Sequence, residues 1–491
     1  MEGTERSPPV EAVGSLLRAL VAVIGSTAAA RALSLAKGLV VAGLLTPSEY
    51  GVATLVAVVV AYSSFADFGT STAAARELSL AVGRSDAGSQ SIAAGHLSAL
   101  RLLAGVIAGC VAFGASWLSS AAPTQLGLRW ALPVSIASSV LAAALLTWQA
   151  QARSRQLAKG TFVLALLDAA LAITLTRTFG LPGLLLALLV APTLAALWCG
   201  GQRALAAPRL PALATLRGYL AVGLPWVALG LVEHNVVYVD HLLVLGFFGV
   251  HDLGVYNVAL VVADILRMFA LAVGIVLGPR LLHRFGGSGS AIEPLRGITL
   301  TPVLALAAVL PFLGIPLYFG AKAGLQNYYP LYASAAPIIG ILLAGGMFLG
   351  LNNGVSTFLL AVGKQGRGAL IGLAALVADC VAASVLVRLG HGLASVAWAS
   401  LAAYIFFSAM NLSYVHGHFP SSAAERAAFV ARAFLPAAYT VVVVALVDAR
   451  FPRISSPGDL VVAILASWLL ISPLAWQAVR RVRQVSALCD T

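Results

Sequence analysis

The stretch GLLTPSEYG at residues 43–51 occurs a second time, in altered form, as GFFGVHDLG at residues 246–254. The first glycine, the last glycine and the acid two positions before it coincide at a constant offset of 203 residues. An acidic side chain favours a helix N-terminus, and glycine lets two helices approach closely. We therefore interpret each copy as a tight turn between two helices and expect the chain to be duplicated.

A second pair of matching positions supports the duplication. Asp168 precedes the turn GLPG at residues 180–183, and Asp379 precedes GHG at residues 390–392. The spacing predicts two six-helix lobes, residues 1–205 and 206–418, followed by a helical pair in residues 419–491. Because six is an even number, both lobes have the same orientation, and repeated lobes around a central cavity are typical of alternating-access transporters.

The composition assigns the chain to the membrane. It is 60% hydrophobic and only 10% charged, whereas soluble domains carry roughly 25% charged residues. Continuous apolar runs of about 20 residues, the length that spans a bilayer as a helix, recur throughout. We therefore predict an all-α integral membrane protein with about fourteen transmembrane helices. The predicted helices lie near residues 14–45, 51–78, 91–117, 125–150, 160–178, 181–202, 218–247, 253–281, 297–319, 333–362, 367–387, 392–415, 428–447 and 459–479.

Positive charge is distributed unevenly between the gaps that separate these helices. Of the 30 lysines and arginines, twenty fall in the gaps or the adjoining helix ends on one side and only six in those on the other. Cytoplasmic loops are enriched in lysine and arginine, so both termini are predicted to be cytoplasmic. No gap exceeds roughly 20 residues, which leaves no room for a soluble catalytic domain. The sequence also lacks enzyme, cofactor and metal-ligand spacings, so we expect a protein that is not an enzyme and needs no cofactor.

Several short motifs follow one another along the chain. They are Leu44 to Gly51, Asp67-Phe68-Gly69, Arg76-Glu77, Asp240, Gly246, Gly254 to Asn257 and Pro279. These motifs resemble those of the oligosaccharide flippases of bacterial polysaccharide synthesis, in the multidrug/oligosaccharidyl-lipid/polysaccharide exporter superfamily. The resemblance covers roughly residues 14–420, and it implies a bacterial cytoplasmic-membrane location and a lipid-linked oligosaccharide substrate. The sequence departs from the family pattern at Gly43, Thr46 and His241, where arginine, glycine and arginine are common.

Four basic residues in or near the predicted helices are candidates for binding a phosphate group: Arg31, Lys37, Arg76 and Arg267. A charged group within the bilayer is costly and therefore marks a functional site by default. Each also has a structural alternative. Arg31 and Lys37 are suited to inter-helix salt bridges, Arg76 to snorkelling at the membrane surface, and Arg267 to a local ion pair.

Four acidic residues are candidates for coupling transport to protons or sodium ions: Asp67, Glu233, Asp240 and Asp264. Asp67 has the alternative of pairing with Arg31 or Lys37. Glu233 and Asp240 are seven positions apart and so share a helix face. A structural hydrogen-bond network is the alternative for that helix, and an ion pair with Arg267 is the alternative for Asp264.

These features predict a transporter that flips a polyprenyl-diphosphate-linked oligosaccharide to the outer leaflet by alternating access. Its predicted partners are this lipid, membrane lipids, H⁺ or Na⁺, and the polymerase and chain-length machinery of polysaccharide synthesis, with no nucleic acid. The alternatives are a cation-coupled drug or metabolite exporter of the same superfamily and, more weakly, a polytopic glycosyltransferase or polymerase.

Overall fold

The computed structural model describes residues 29–30, 32–202, 204–287 and 291–490. These residues form helices joined by short turns, and no β-strand occurs among them. The all-α membrane fold expected from composition is confirmed. The helices are α1 (Ala32–Leu44), α2 (Pro47–Ser63), α3 (Thr70–Gly83), α4 (Ala87–Ser116), α5 (Ala122–Ala150), α6 (Ser154–Phe179), α7 (Leu181–Gly201), α8 (Leu213–Gly287), α9 (Arg296–Asn327), α10 (Ala336–Gly350), α11 (Asn352–Ala361), α12 (Gln365–Arg388), α13 (Ala394–His416), α14 (Ala423–Arg450), α15 (Pro457–Leu470) and α16 (Ser472–Asp490). Helix α8 is not continuous: Gly249 has non-helical φ and ψ angles of 83° and −171°, so two helices meet at a kink there, within the second copy of the repeated turn.

The number of membrane spans differs from the prediction. Within the described ranges, ten helices are long and apolar enough to cross a membrane, or up to twelve if two bent helix pairs each count as one span. The predicted number of fourteen is not confirmed. One reason is that α1 is a shorter apolar helix as far as it is described. Another is that the predicted helix 51–78 is divided between α2 and α3.

The last predicted helix is also divided. Helices α15 and α16 meet at an angle of 69°, so the prediction of one helix over residues 459–479 is wrong. Pro473 lies at the start of α16. Because proline has no backbone N–H and disfavours helical geometry in the residue before it, it favours a break in the helix at this position.

The chain forms two compact units. Unit 1 comprises Met1–Leu45 and Val52–Ala228, and unit 2 comprises Thr46–Gly51 and Leu229–Thr491. Residues Thr46–Gly51 of the first copy of the repeated turn therefore cluster with unit 2, whereas the residues on either side of them belong to unit 1. The three-part division of the chain at residues 205 and 418 stays a prediction.

The two copies of the repeated turn contact each other within unit 2. A Cβ atom on Gly51 would lie 1.8 Å from the carbonyl oxygen of Val250, and one on Gly254 would lie 1.9 Å from that of Pro47. Val250 and Pro47 are themselves related by the 203-residue offset, so the contact is reciprocal. Glycine is required at both positions because any side chain would collide with backbone rather than with a movable side chain.

We expect Gly51→Ala or Gly254→Ala to destabilise the protein by about 1–3 kcal/mol or more, because the added methyl group must force two backbones apart. Gly246→Ala is the matched control, since a Cβ there would meet no atom of the described residues within 4 Å. Thermal unfolding of the detergent-purified variants measures the difference. Equal stability of all three variants would contradict the reciprocal contact.

Candidate functional site

A break between α2 and α3 places non-helical backbone inside unit 1. Phe68 and Gly69 have positive φ angles of 50° and 78°, and the chain turns from residue 64 to residue 69. The prediction of a continuous helix over residues 51–78 is therefore wrong. Gly69 meets Gly223 backbone to backbone, since a Cβ on Gly69 would lie 2.4 Å from the Gly223 carbonyl oxygen. Irregular backbone at membrane depth is tolerated where protein or water surrounds it.

Asp67 organises this break. Its Oδ1 accepts a hydrogen bond from the Gly69 N–H (2.9 Å), and its carbonyl oxygen accepts one from the Thr70 hydroxyl (2.8 Å). Such a side-chain-to-backbone bond two residues onward stabilises a turn. The carboxylate is therefore a structural part of the broken helix, whatever else it binds.

Arg101 of α4 is the basic partner of Asp67 in the described structure. Its Nη1 lies 4.0 Å from Asp67 Oδ2 and donates a hydrogen bond to the Ser64 carbonyl oxygen (3.3 Å). The Asp67 and Arg101 side chains are only 3% and 12% exposed. The sequence suggested Arg31 or Lys37 as partners of Asp67 and did not single out Arg101. The sequence does not show which helix packs beside the break, so it could not indicate that α4 supplies the partner.

Lys37 forms a different ion pair in unit 1. Its Nζ lies 2.6 Å from Oδ2 of Asp168 on α6, and each side chain is 19% exposed. The inter-helix salt bridge that was the structural alternative for Lys37 is thus present. Among the other phosphate-binding candidates of this unit, Arg76 is exposed on α3, and Arg31 lies outside the described residues.

Two buried carboxylates meet in unit 2. Asp240 is 0% exposed, and its Oδ2 accepts a hydrogen bond from the Tyr256 hydroxyl at 2.7 Å. The Ser400 hydroxyl lies 2.7 Å from Oδ1 of Asp240 and 3.4 Å from Oδ1 of Asp379. Because a hydroxyl has a single hydrogen, Ser400 can donate to only one of the two carboxylates at a time.

Neither of these carboxylates, in the part of the chain that the structure describes, forms a salt bridge with a lysine or arginine. Two ionised carboxylates sharing a buried site repel each other. Burial of unpaired charge is also costly. A proton or a small cation held by the pair relieves both penalties, so Asp240 and Asp379 together have the chemistry of a cation site.

The duplication relates this carboxylate pair to the Lys37–Asp168 ion pair of unit 1. Lys37 and Asp240 are separated by the same 203 residues as the repeated turns, and Asp168 and Asp379 are the second pair of matching positions. In unit 1 the ammonium group of lysine neutralises the acid. At the corresponding place in unit 2 an aspartate replaces the lysine, and the positive charge must come from elsewhere.

Arg267 and Asp264 form a local ion pair on α8. Arg267 Nη1 donates to Asp264 Oδ1 at 2.6 Å, and the guanidinium lies over the Tyr238 ring with 5.5 Å to its centroid. The predicted structural alternative is therefore present for both residues. The side chains remain 26% and 31% exposed, which leaves part of the guanidinium accessible. Glu233 belongs to α8, but its side chain lies outside the described part of the chain.

We expect Arg101→Gln to destabilise the protein by about 3–5 kcal/mol, because it leaves the Asp67 carboxylate buried without a countercharge. The double variant Asp67→Asn/Arg101→Gln should recover part of this loss. Thermal unfolding of the double variant and of both single variants, Arg101→Gln and Asp67→Asn, measures the coupling, with exposed Arg76→Gln as the control. A double variant as unstable as the sum of its single variants would show that the two side chains do not interact.

Residues 40–280 match the model of the family described as polysaccharide biosynthesis protein, and the resemblance stated from the motifs is confirmed. No curated protein matches the chain.

Several solved structures share the fold. A eukaryotic MATE transporter has 16% identity and a TM-score of 0.57, over 86% of this chain and 98% of that chain. An inward-facing multidrug resistance MATE family transporter of the MOP superfamily has 16% identity and a TM-score of 0.56, over 81% and 94%. A MOP superfamily transporter from Pyrococcus furiosus, described as having a binding pocket of reverse polarity, has 14% identity and a TM-score of 0.56, over 82% and 94%.

Proposed function

We propose that this chain, a member of the polysaccharide biosynthesis protein family over residues 40–280, flips a polyprenyl-diphosphate-linked oligosaccharide from the cytoplasmic to the outer leaflet. The observation that carries the proposal is the family match combined with basic side chains held on membrane helices. A diphosphate cannot enter hydrocarbon unaided, because burying its charge without partners is prohibitively costly. The lipid tail needs no such help and stays in the bilayer.

Among the residues that the structure describes, Arg267 is the best candidate for contact with the diphosphate. Its pairing with Asp264 and its position over Tyr238 hold the guanidinium in place while leaving it partly exposed. A positioned guanidinium can donate two parallel hydrogen bonds to a phosphate. Arg31 and Arg76 complete the proposed basic set. Lys37 is a weaker candidate, because its ammonium group already has Asp168 as a partner at 2.6 Å.

Movement of the substrate would follow alternating access, in which one duplicated lobe moves against the other. Two driving forces are available. An inside-negative potential favours outward movement of an anion by about 2.3 kcal/mol per charge per 100 mV. An inward flow of H⁺ or Na⁺ through the Asp240–Asp379 pair would add to it, since no lysine or arginine among the described residues forms a salt bridge with either carboxylate.

The substrate assignment is tested by flipping of fluorescent polyprenyl-diphosphate sugars in liposomes that contain the purified protein. We expect Arg267→Gln to reduce the flipping rate about tenfold or more, since the loss of one charged hydrogen bond of about 1.5–3 kcal/mol corresponds to such a factor. Arg267→Lys should retain part of the activity because it keeps the charge.

Arg388→Gln is the matched control, because Arg388 is exposed and is the last residue of α12. Flipping by Arg267→Gln at the wild-type rate would remove this residue from the site. A wild-type protein that moves no lipid-linked sugar would refute the proposed substrate class.

The coupling assignment is tested by imposing H⁺ or Na⁺ gradients on the same liposomes, with ionophores to collapse each gradient in turn. We expect Asp240→Asn to lose the acceleration that the coupling ion produces. Asp240→Lys would copy the arrangement of unit 1 and should fold while transporting independently of the gradient. A gradient response that survives both substitutions would exclude the Asp240–Asp379 pair as the coupling site.

A second candidate function is export of a cationic drug or metabolite, with cation coupling. It is favoured by the acids and aromatic rings of unit 2, where Asp240 and Asp379 lie among Tyr256 and other buried side chains. Transport of tetraphenylphosphonium in the same liposomes separates the two functions. Uptake of this cation without any flipping of lipid-linked sugar would support export.

A further inference from the structure

A cavity of about 720 Å³ lies in unit 2, where α12 and α14 begin and α13 ends. The charge distribution assigns this end of the helices to the cytoplasmic side. The volume falls in the range of roughly 300–1,000 Å³ that is usual for ligand sites. The cavity has a basic end at the membrane surface and an apolar wall below it, and neither belongs to the carboxylate pair or the Asp264–Arg267 pair.

The basic end consists of Arg367 and Arg426, with His418 beside them. In the described structure neither arginine forms a salt bridge. The Nε atom of Arg426 is buried and has no acceptor among the described residues. Its Nη1 lies against the turn after α13, since a Cβ on Gly417 would be 3.1 Å from it. Buried donors are normally satisfied, so this end of the cavity is suited to an anionic acceptor.

The apolar wall runs from this end toward the membrane interior. Leu370 and Ala374 are four residues apart on α12, and Phe406 and Met410 are four apart on α13, so each pair lies on one helix face. Leu370, Phe406 and Met410 are exposed on the protein surface, which leaves the wall open to lipid.

The length of the wall fits one leaflet. At 1.5 Å per residue, α12 rises about 10 Å from Arg367 to Ala374, and α13 rises about 15 Å from Phe406 to its end at His416. Half of a bilayer core of roughly 30 Å is about 15 Å. A ligand with its charge at the two arginines would therefore place its chain in the hydrocarbon of the same leaflet.

We propose that this cavity binds an anionic phospholipid of the adjacent leaflet, with its phosphate on Arg367 and Arg426 and an acyl chain along the apolar wall. Basic pockets between transmembrane helices on the cytoplasmic side are suited to such headgroups. Ser413 and Tyr414 line the cavity next to the arginines and offer hydroxyl groups to the headgroup. The bound lipid connects α14, and with it the C-terminal helices, to α12 and α13.

Native mass spectrometry of the purified full-length chain, with phosphatidylglycerol and phosphatidylcholine added in equal amounts, tests the proposal. We expect the wild type to retain phosphatidylglycerol preferentially. Arg367→Gln/Arg426→Gln should weaken that binding about 30-fold, as expected for two basic groups near a membrane surface. The matched control is Lys364→Gln/Arg432→Gln, which removes the same charge from two exposed residues outside the cavity lining, one at the N-cap of α12 and one in the first half of α14.

A second variant, Ala374→Trp, fills the apolar wall and keeps both arginines, and it should also lose phosphatidylglycerol. Equal retention by the two double variants would overturn the proposal, as would equal retention of both lipids by the wild type. Displacement of phosphatidylglycerol by an equal concentration of polyprenyl diphosphate would assign the cavity to a transported lipid instead and overturn the proposal of a resident phospholipid. The result does not depend on flipping activity.

Discussion

Hydrocarbon supplies no counterion and no hydrogen bond, so every charged side chain on a membrane helix must find its partner within the protein. This constraint explains the pairs Lys37–Asp168, Asp67–Arg101 and Asp264–Arg267. It also explains the turn between α2 and α3, where Asp67 and Arg101 bond to backbone groups that a continuous helix would satisfy by itself. Each pair holds two groups in one geometry and leaves few charges available for transport.

The duplication identifies one site where buried charges lack such a partner among the described residues. Unit 1 places a lysine opposite the repeat-related acid, and unit 2 places Asp240 opposite Asp379. A permanent ammonium group gives a fixed, neutral pair, whereas two carboxylates leave a charge to be supplied by a mobile ion. The same ancestral position therefore has a structural role in unit 1 and the chemistry of a cation site in unit 2. The difference between the two copies is more informative about function than either copy alone.

Much of the candidate site was accessible from sequence, because charged residues are rare in membrane helices. Asp67, Asp240, Asp264 and Arg267 were all identified in this way, and the local pairing of the last two follows from helical spacing. Arg101 is likewise a charged residue within a predicted membrane helix. Its role, however, depends on which helix packs against the break between α2 and α3. Asp379 was recognised as repeat-related, yet its proximity to Asp240 depends on Ser400 lying between them.

The sequence by itself determined that the protein lies in a membrane, that it is helical and that it is duplicated. Composition, the length of the apolar runs and the repeated turn are all local properties of the chain. Tertiary structure decided where helices break and which charges meet. The division at Gly69 depends on close backbone contact with Gly223, and the reciprocal contacts of Gly51 and Gly254 depend on two turns 203 residues apart. Such contacts join distant segments, and their energy depends on distances of a few ångströms that sequence spacing does not encode.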